Sequence, residues 1–298
     1  MALDATRRKF VATTGAATAA ALLSSTAAES KTDVWVIHSE DKSRLMNAAL
    51  KVIEQNGGFG VDVKKLTLKV NAAWARTPEE GANTHPELVD AFIAGALRNG
   101  VKELLVPEHP CNRAEQSFVR SGIKAACKKH KIKMVDLKKE KDHFRPVKIP
   151  GGVVLKEADV AVEYLETDCV VNMPVAKHHK ATKLSMAMKN WLGVVLDRRE
   201  WHRAGLHQCI ADFSTFIKPN WTIIDATRCM LDSGPQGPAD EMLYPDLLIV
   251  SKDQVAADTY AATLFHDDPL TVEYLRIAGD MGIGQNDLSK MNIHKLEA

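Results

Sequence analysis

Apolar residues follow two rhythms along this chain. Short runs of β-branched and other apolar residues lie at 33–39, 63–70, 102–106, 132–136, 168–172, 221–225 and 247–251, and each predicts a strand. Between these runs, apolar residues recur at helical spacing. After Asp41, a capping residue, Leu45, Ala48, Ala49 and Val52 share one face, and Gly57, Gly58 and Gly60 end the segment. Thr84-His85-Pro86-Glu87 has the form of a capping box with proline in the first turn, opening a helix that closes at Gly100. Residues 113–130 read as helical with a break near Gly122, and 202–217 as one helix. Asp253 caps a helix through Leu264, a further one spans 271–278, and Met281-Gly282-Ile283-Gly284 turns into the tail.

The run at 168–172 is continuously apolar, as in strands covered on both sides of a parallel sheet. Strands alternating with helices predict an α/β fold: a mostly parallel sheet with helices on both faces, in a single domain over residues 29–298. Residues 136–160 leave room for a small inserted lobe. In such sheets ligands bind beyond the carboxyl ends of the strands, so polar residues at predicted strand ends carry the most information.

Residues 1–28 stand apart. Thr6-Arg7-Arg8-Lys9-Phe10-Val11 is followed by a mildly apolar stretch to Leu23 and small residues at 25–28. A basic start, a short apolar middle and a small-residue exit make a secretory leader, and the paired arginines select the twin-arginine (Tat) form. The expectation is a Tat signal peptide, a Tat translocase as partner during export, and a periplasmic or otherwise extracytoplasmic mature protein. No later stretch is long and apolar enough to predict a membrane span after cleavage.

Composition narrows the function classes. The 298 residues carry a formal net charge of +1; the leader holds three basic residues and one acidic, so the remainder is at −1. That balance disfavours general nucleic-acid binding. The lysines of 124–148 are interleaved with acids and read as a solvated face. Five cysteines, none in a C-x-x-C pair, supply no zinc-ribbon or iron–sulfur motif. Cys111, in a loop beside Glu108 and His109, is the best placed of them for reactivity. Dinucleotide, Walker and serine-elbow motifs are absent.

Three strand ends are polar. Lys69-Val70-Asn71 closes the second strand. Asn172-Met173-Pro174 leads to Lys177, His178 and His179, then to Lys189, Asn190 and Gly193. Asp225 stands before Arg228 and a Gly234-Pro235-Gln236-Gly237 turn. Lys177, His179, Lys189 and Asn190 near Gly193 suggest a basic pocket for a carboxylate, a phosphate or a metal-bound anion; a solvated loop is the plainer alternative. His179 and His202 are candidate acid/base groups and Lys177 a catalytic cation, with Lys69, Asn71, Lys189, Asn190 and Asp225 as ligand-binding residues. His207 and Asp212 are the candidate ligands for a metal ion. His202 and His207 would lie about 140° apart on one helix, a poor pair, and no H-x-x-x-H spacing occurs.

At these residues the chain resembles the DUF362 domain proteins. The resemblance rests on Lys69-Val70-Asn71, Thr84-His85-Pro86, Asn172-Met173-Pro174 with Lys177 and His179, Lys189-Asn190 with Gly193, and Asp212. It continues through Lys218-Pro219, Asp225, Gly234-Pro235 with Gly237, and Ser251-Lys252-Asp253 with Ala256 and Asp258. It implies an architecture more than a reaction. Tat leaders are usual for a branch of this family. Some relatives add a ferredoxin-like segment with clustered cysteines, which this sequence lacks. The family is also distantly similar to nickel-dependent lactate racemases, although no residue here matches their catalytic motif. Two functions follow as expectations: acid/base chemistry on a small anionic ligand, or non-catalytic holding of a metal, cofactor or anion for a redox system.

Overall fold

The computed structural model describes residues 31–139 and 141–298; the leader at 1–28 lies outside the described residues. The first half of the described chain runs β1 (Thr32–His38), α1 (Lys42–Gln55), β2 (Lys65–Val70), α2 (Pro86–Arg98), β3 (Glu103–Glu108), α3 (Ala114–Arg120), α4 (Ile123–Lys129), β4 (Lys133–Asp136), β5 (Phe144–Lys148), β6 (Glu157–Ala161) and β7 (Cys169–Met173). It continues with β8 (Lys177–His179), β9 (Lys183–Ser185), α5 (Ala187–Asn190), α6 (Arg198–Ala204), α7 (Leu206–Phe216), β10 (Trp221–Ala226), β11 (Cys229–Met230), β12 (Met242–Leu243), β13 (Leu247–Ser251), α8 (Gln254–Ala262), α9 (Glu273–Asp280) and β14 (Met291–Glu297).

Eight strands form one sheet in the order β14-β1-β13-β10-β7-β2-β3-β4. All run the same way except β13, which is antiparallel to both β1 and β10. Alternating side chains feed two cores. On β7, Cys169, Val171 and Met173 pack on one side with α1, α2 and α4, and Val170 packs on the other with α7, α8 and α9. Every residue of β7 and β10 is buried, which explains their uninterrupted apolar runs.

Several local expectations need correction. Residues 202–217 are not one helix: Gly205, at φ 118°, breaks them into α6 and α7, a backbone angle that glycine adopts without strain. Residues 281–284 turn as expected, and the tail beyond them, for which no element was expected, forms an edge strand, β14, paired parallel to β1. The third strand does not stop at 106, before Pro107, but runs on to Glu108. Pairing of β3 with β2 stops at Leu105, while pairing with β4 continues through Pro107 to Glu108. The missing N–H of Pro107 therefore falls where the β2 side needs no donor. Thr84 is not the helix cap either. His85 caps α2, its Nδ1 accepting from the Glu87 N–H at 3.3 Å. Thr84 instead accepts from the Asn71 N–H at 2.8 Å and donates to the Met173 carbonyl at 2.7 Å, tying the ends of β2 and β7 together.

The segment at 136–160 holds an antiparallel hairpin, β5–β6. Asp212 on α7 secures the connecting loop by accepting backbone N–H groups from Val153, Val154 and Leu155 at 2.7–2.8 Å.

Candidate functional site

The carboxyl ends of β2, β3 and β7 meet in a buried polar cluster. Lys69 is fully buried, and its Nζ donates to Glu108 Oε2 at 2.9 Å, to Asn190 Oδ1 at 3.1 Å and to the Val70 carbonyl. Glu108 Oε2 also accepts from the Ala72 N–H at 2.9 Å. Burial pulls the Lys69 pKa down, and Glu108 opposes that pull. Gly193 makes the pair possible: a Cβ there would stand 2.1 Å from Glu108 Oε1 and 2.8 Å from Lys69 Nζ. Asn190 closes the cluster, donating to Asn172 Oδ1 at 2.8 Å and accepting from Asn71 Nδ2 at 3.2 Å.

Above this cluster lies a cleft of about 370 Å³ lined by residues from separate segments: Asn71 after β2, Glu108 at the end of β3, Lys177 and His179 on β8, Lys189 and Asn190 on α5, and Arg198 and His202 on α6. Glu108 is the sole carboxylate among the lining residues, and it is already paired with Lys69. Against it stand Lys177, Lys189, Arg198 and Arg199. The field in the cleft is therefore positive, with low-dielectric walls that strengthen it.

The two lysines are placed differently. Lys177 is 1% exposed; its Nζ donates to Asn71 Oδ1 at 3.2 Å and to the Ala82 carbonyl. Lys189 is 7% exposed, and among the described residues it has neither a hydrogen-bond acceptor nor an ion-pair partner. Its position is held from below: buried Asp258 on α8 accepts the Ala187 and Met188 N–H groups at 2.6 and 2.9 Å, fixing the start of α5. Burial raises the Asp258 carboxyl to about 7, even though both N–H groups favour its charge. Arg198 donates to the His109 and Pro110 carbonyls at 2.7 and 2.9 Å, which orients its guanidinium without neutralising it.

Burial lowers Lys177 to about 7 and Lys189 to about 8. Burial, then Lys189 and Lys177, push His179 down to about 2. Its Nδ1 accepts from the Ala181 N–H at 3.1 Å, so the neutral ring carries its proton on Nε2. His179 thus enters as an N–H donor rather than as a base titrating near neutrality. His202 is exposed, and partial desolvation followed by the charges of Lys189 and Arg198 lowers its pKa.

Four sequence candidates stand outside the cleft lining: Lys69, whose ammonium is consumed in the buried cluster beneath the cleft, and Asp225, Asp212 and His207. Asp225 is fully buried, paired with Arg228 at 2.8 Å and accepting the His85 N–H at 2.8 Å. Burial works against its charge, but Arg228 and Thr227 prevail and hold the carboxyl below its ordinary value. Its role is to fix the entry to α2. Asp212 secures the hairpin loop described above. His207, on α7, stacks on Tyr274 at 6.3 Å and approaches Glu273 at 3.6 Å. His207 and Asp212 thus serve separate contacts, and among the described residues no group of three or more His, Cys, Asp or Glu could hold a metal ion.

Sequence reading gave no site role to Glu108, Arg198 or Thr84. A charged residue closing the apolar run of β3 was the available signal for Glu108.

The model of a family described as "Domain of unknown function (DUF362)" matches residues 66–263. A thylakoid-associated protein of Synechocystis sp. (sll1697) is 24% identical over 263 residues, covering 82% of this chain and 77% of its own. Among solved structures, a protein from Thermotoga maritima aligns with TM-score 0.46 and 11% identity over 82% of this chain. The lactate racemase apoprotein from Thermoanaerobacterium thermosaccharolyticum aligns with TM-score 0.48 and 7% identity over 77%. The aligned part spans 60% and 56% of those two chains.

Proposed function

The chain belongs to the DUF362 family, and from that premise we propose that it binds a small anion, a carboxylate or a phosphate, in the cleft over β2, β3 and β7. The observation that carries this reading is Lys189. Its side chain is largely buried while its ammonium opens onto the cleft with no acceptor among the described residues, the placement of a cation that an anion completes. Arg198 supplies a second charge, Asn71 and His179 supply amide and N–H groups for orientation, and Lys177 stands beside them with a pKa suited to proton transfer at neutral pH. Lys177 replaces His179 as the favoured base, with His202 at the rim as a second proton carrier. The alternative of a non-catalytic holder for a metal-bound anion shares the same cleft; binding without turnover would distinguish it.

Binding should depend on pH with a definite sign. An anion favours protonated Lys189, so affinity for a ligand of constant charge, such as sulfate, is highest and flat below about pH 7. Above about 8, binding must draw a proton from solvent, and affinity falls by up to about tenfold per pH unit. Calorimetric titration of sulfate from pH 6 to pH 9 measures this. A flat profile, or tighter binding at high pH, contradicts the assignment.

Export through the Tat route is part of the same proposal and rests on Arg7, Arg8 and the residues after them. Replacing both (Arg7→Lys with Arg8→Lys) should leave the full-length chain in the cytoplasmic fraction, where the unaltered chain is recovered outside it. Export of the double variant at the normal level would remove the Tat assignment and leave the cleft untouched.

A further inference from the structure

We propose that Lys177 is an imine-forming lysine, and that the ligand is a small carbonyl compound carrying a carboxylate or phosphate. The proposal rests on the anion reading above and specifies which anion the cleft takes. Its basis is the geometry around Lys177. The side chain is 1% exposed, yet the residue lines the cleft. Its nitrogen has two acceptors, Asn71 Oδ1 and the Ala82 carbonyl, and both can be served by the two hydrogens of a neutral amine. The remaining direction has no partner among the described residues and is where a lone pair would stand. Lys189, a second buried cation in the same cleft, is unpartnered and suited to the anionic end of the molecule.

Burial and the neighbouring charge of Lys189 also favour the neutral amine, the usual means of activating a lysine as a nucleophile. Most lysines fail here because they are protonated at neutral pH. Lys177 combines a desolvated nitrogen, two acceptors that orient it, and an adjacent cation that attracts the substrate and not a proton. Ser185, paired with Lys177 across the β8–β9 hairpin, and His179 also line the cleft and can hydrogen-bond the carbonyl oxygen.

The step balances without a further reactant. The Lys177 lone pair forms a bond to the carbonyl carbon as the C=O π pair moves onto oxygen. One amine hydrogen and one proton from solvent then leave with that oxygen as water. Nitrogen keeps its other hydrogen, and the linkage is a protonated imine. No atom changes oxidation state.

Reductive trapping tests this on the whole protein. The mature chain is incubated with cyanoborohydride and either pyruvate, dihydroxyacetone phosphate or uncharged acetone, and the labelled peptide is located by mass spectrometry. The expected result is one adduct, on Lys177, formed at least tenfold faster with an anionic carbonyl than with acetone and slowed by excess sulfate. The faster of the two anionic reagents identifies carboxylate or phosphate as the preferred group. Lys177→Arg should abolish the adduct, with the fold of the variant checked by circular dichroism. If that variant does not fold, sulfate protection of Lys177 in the unaltered protein decides the same point. Labelling that is absent, or that favours surface lysines or Lys189, overturns the imine proposal. Sulfate binding without trapping would leave the anion reading standing, and trapping at equal rates with acetone would remove the anion's part in it.

Discussion

Lys189→Met weakens anion binding by roughly 30- to 1,000-fold without lowering the stability of the fold. The loss corresponds to about 2–4 kcal/mol, the scale of a desolvated charge pair losing one member. The stability half of the result is the more diagnostic. A buried lysine that served the fold would be paired, and removing it would strand its partner. Lys189 has no partner among the described residues, so methionine of similar length relieves a desolvated charge and strands nothing. Thermal unfolding should therefore show an unchanged or higher midpoint, while sulfate titration shows the lost affinity. A large drop in the midpoint would mean that Lys189 is structural.

Lys69→Met should do the reverse. Lys69 and Glu108 are each at most 1% exposed and form a 2.9 Å pair, so removing the lysine leaves a buried carboxylate uncompensated. The expected cost is about 3–5 kcal/mol, on the order of 10 °C in the unfolding midpoint. Lys69→Met combined with Glu108→Gln should recover part of it, because the amide is neutral and still accepts from the Ala72 N–H. If the double variant is as unstable as the single one, the charge of Glu108 is not the cause. Lys69 and Lys189, both buried lysines of one region, are separated in this way: one supports the floor of the cleft, the other faces its ligand.

The contrast also explains what could be read from sequence. The strands were legible because β7 and β10 are buried on both faces and show it as apolar runs. The strand ends were legible because a lysine or an asparagine closing such a run is conspicuous, as at Lys69 and Asn172. The partner of Lys69 was not. Glu108 lies 39 positions away on β3, and Pro107 before it reads as a stop unless one knows that β2 has already ended its pairing. The reversed strand β13 was hidden because an apolar run has no direction. Gly205, one residue within a helical pattern, separated His202 from His207, so no argument from helical spacing applied to them. Asp212 and Asp225 have the residue type of ligands, but backbone N–H groups and Arg228 consume their capacity, which only the fold reveals.

The central claim is that an anion completes Lys189. Diffraction from crystals grown in bromide tests it most directly, because the anomalous signal locates the ion without assumptions about the ligand. The account predicts a bromide peak in contact with Lys189 Nζ, on the side facing Arg198, that disappears in Lys189→Met crystals. A cleft free of bromide in well-ordered crystals, with peaks only at surface lysines and arginines, would contradict it.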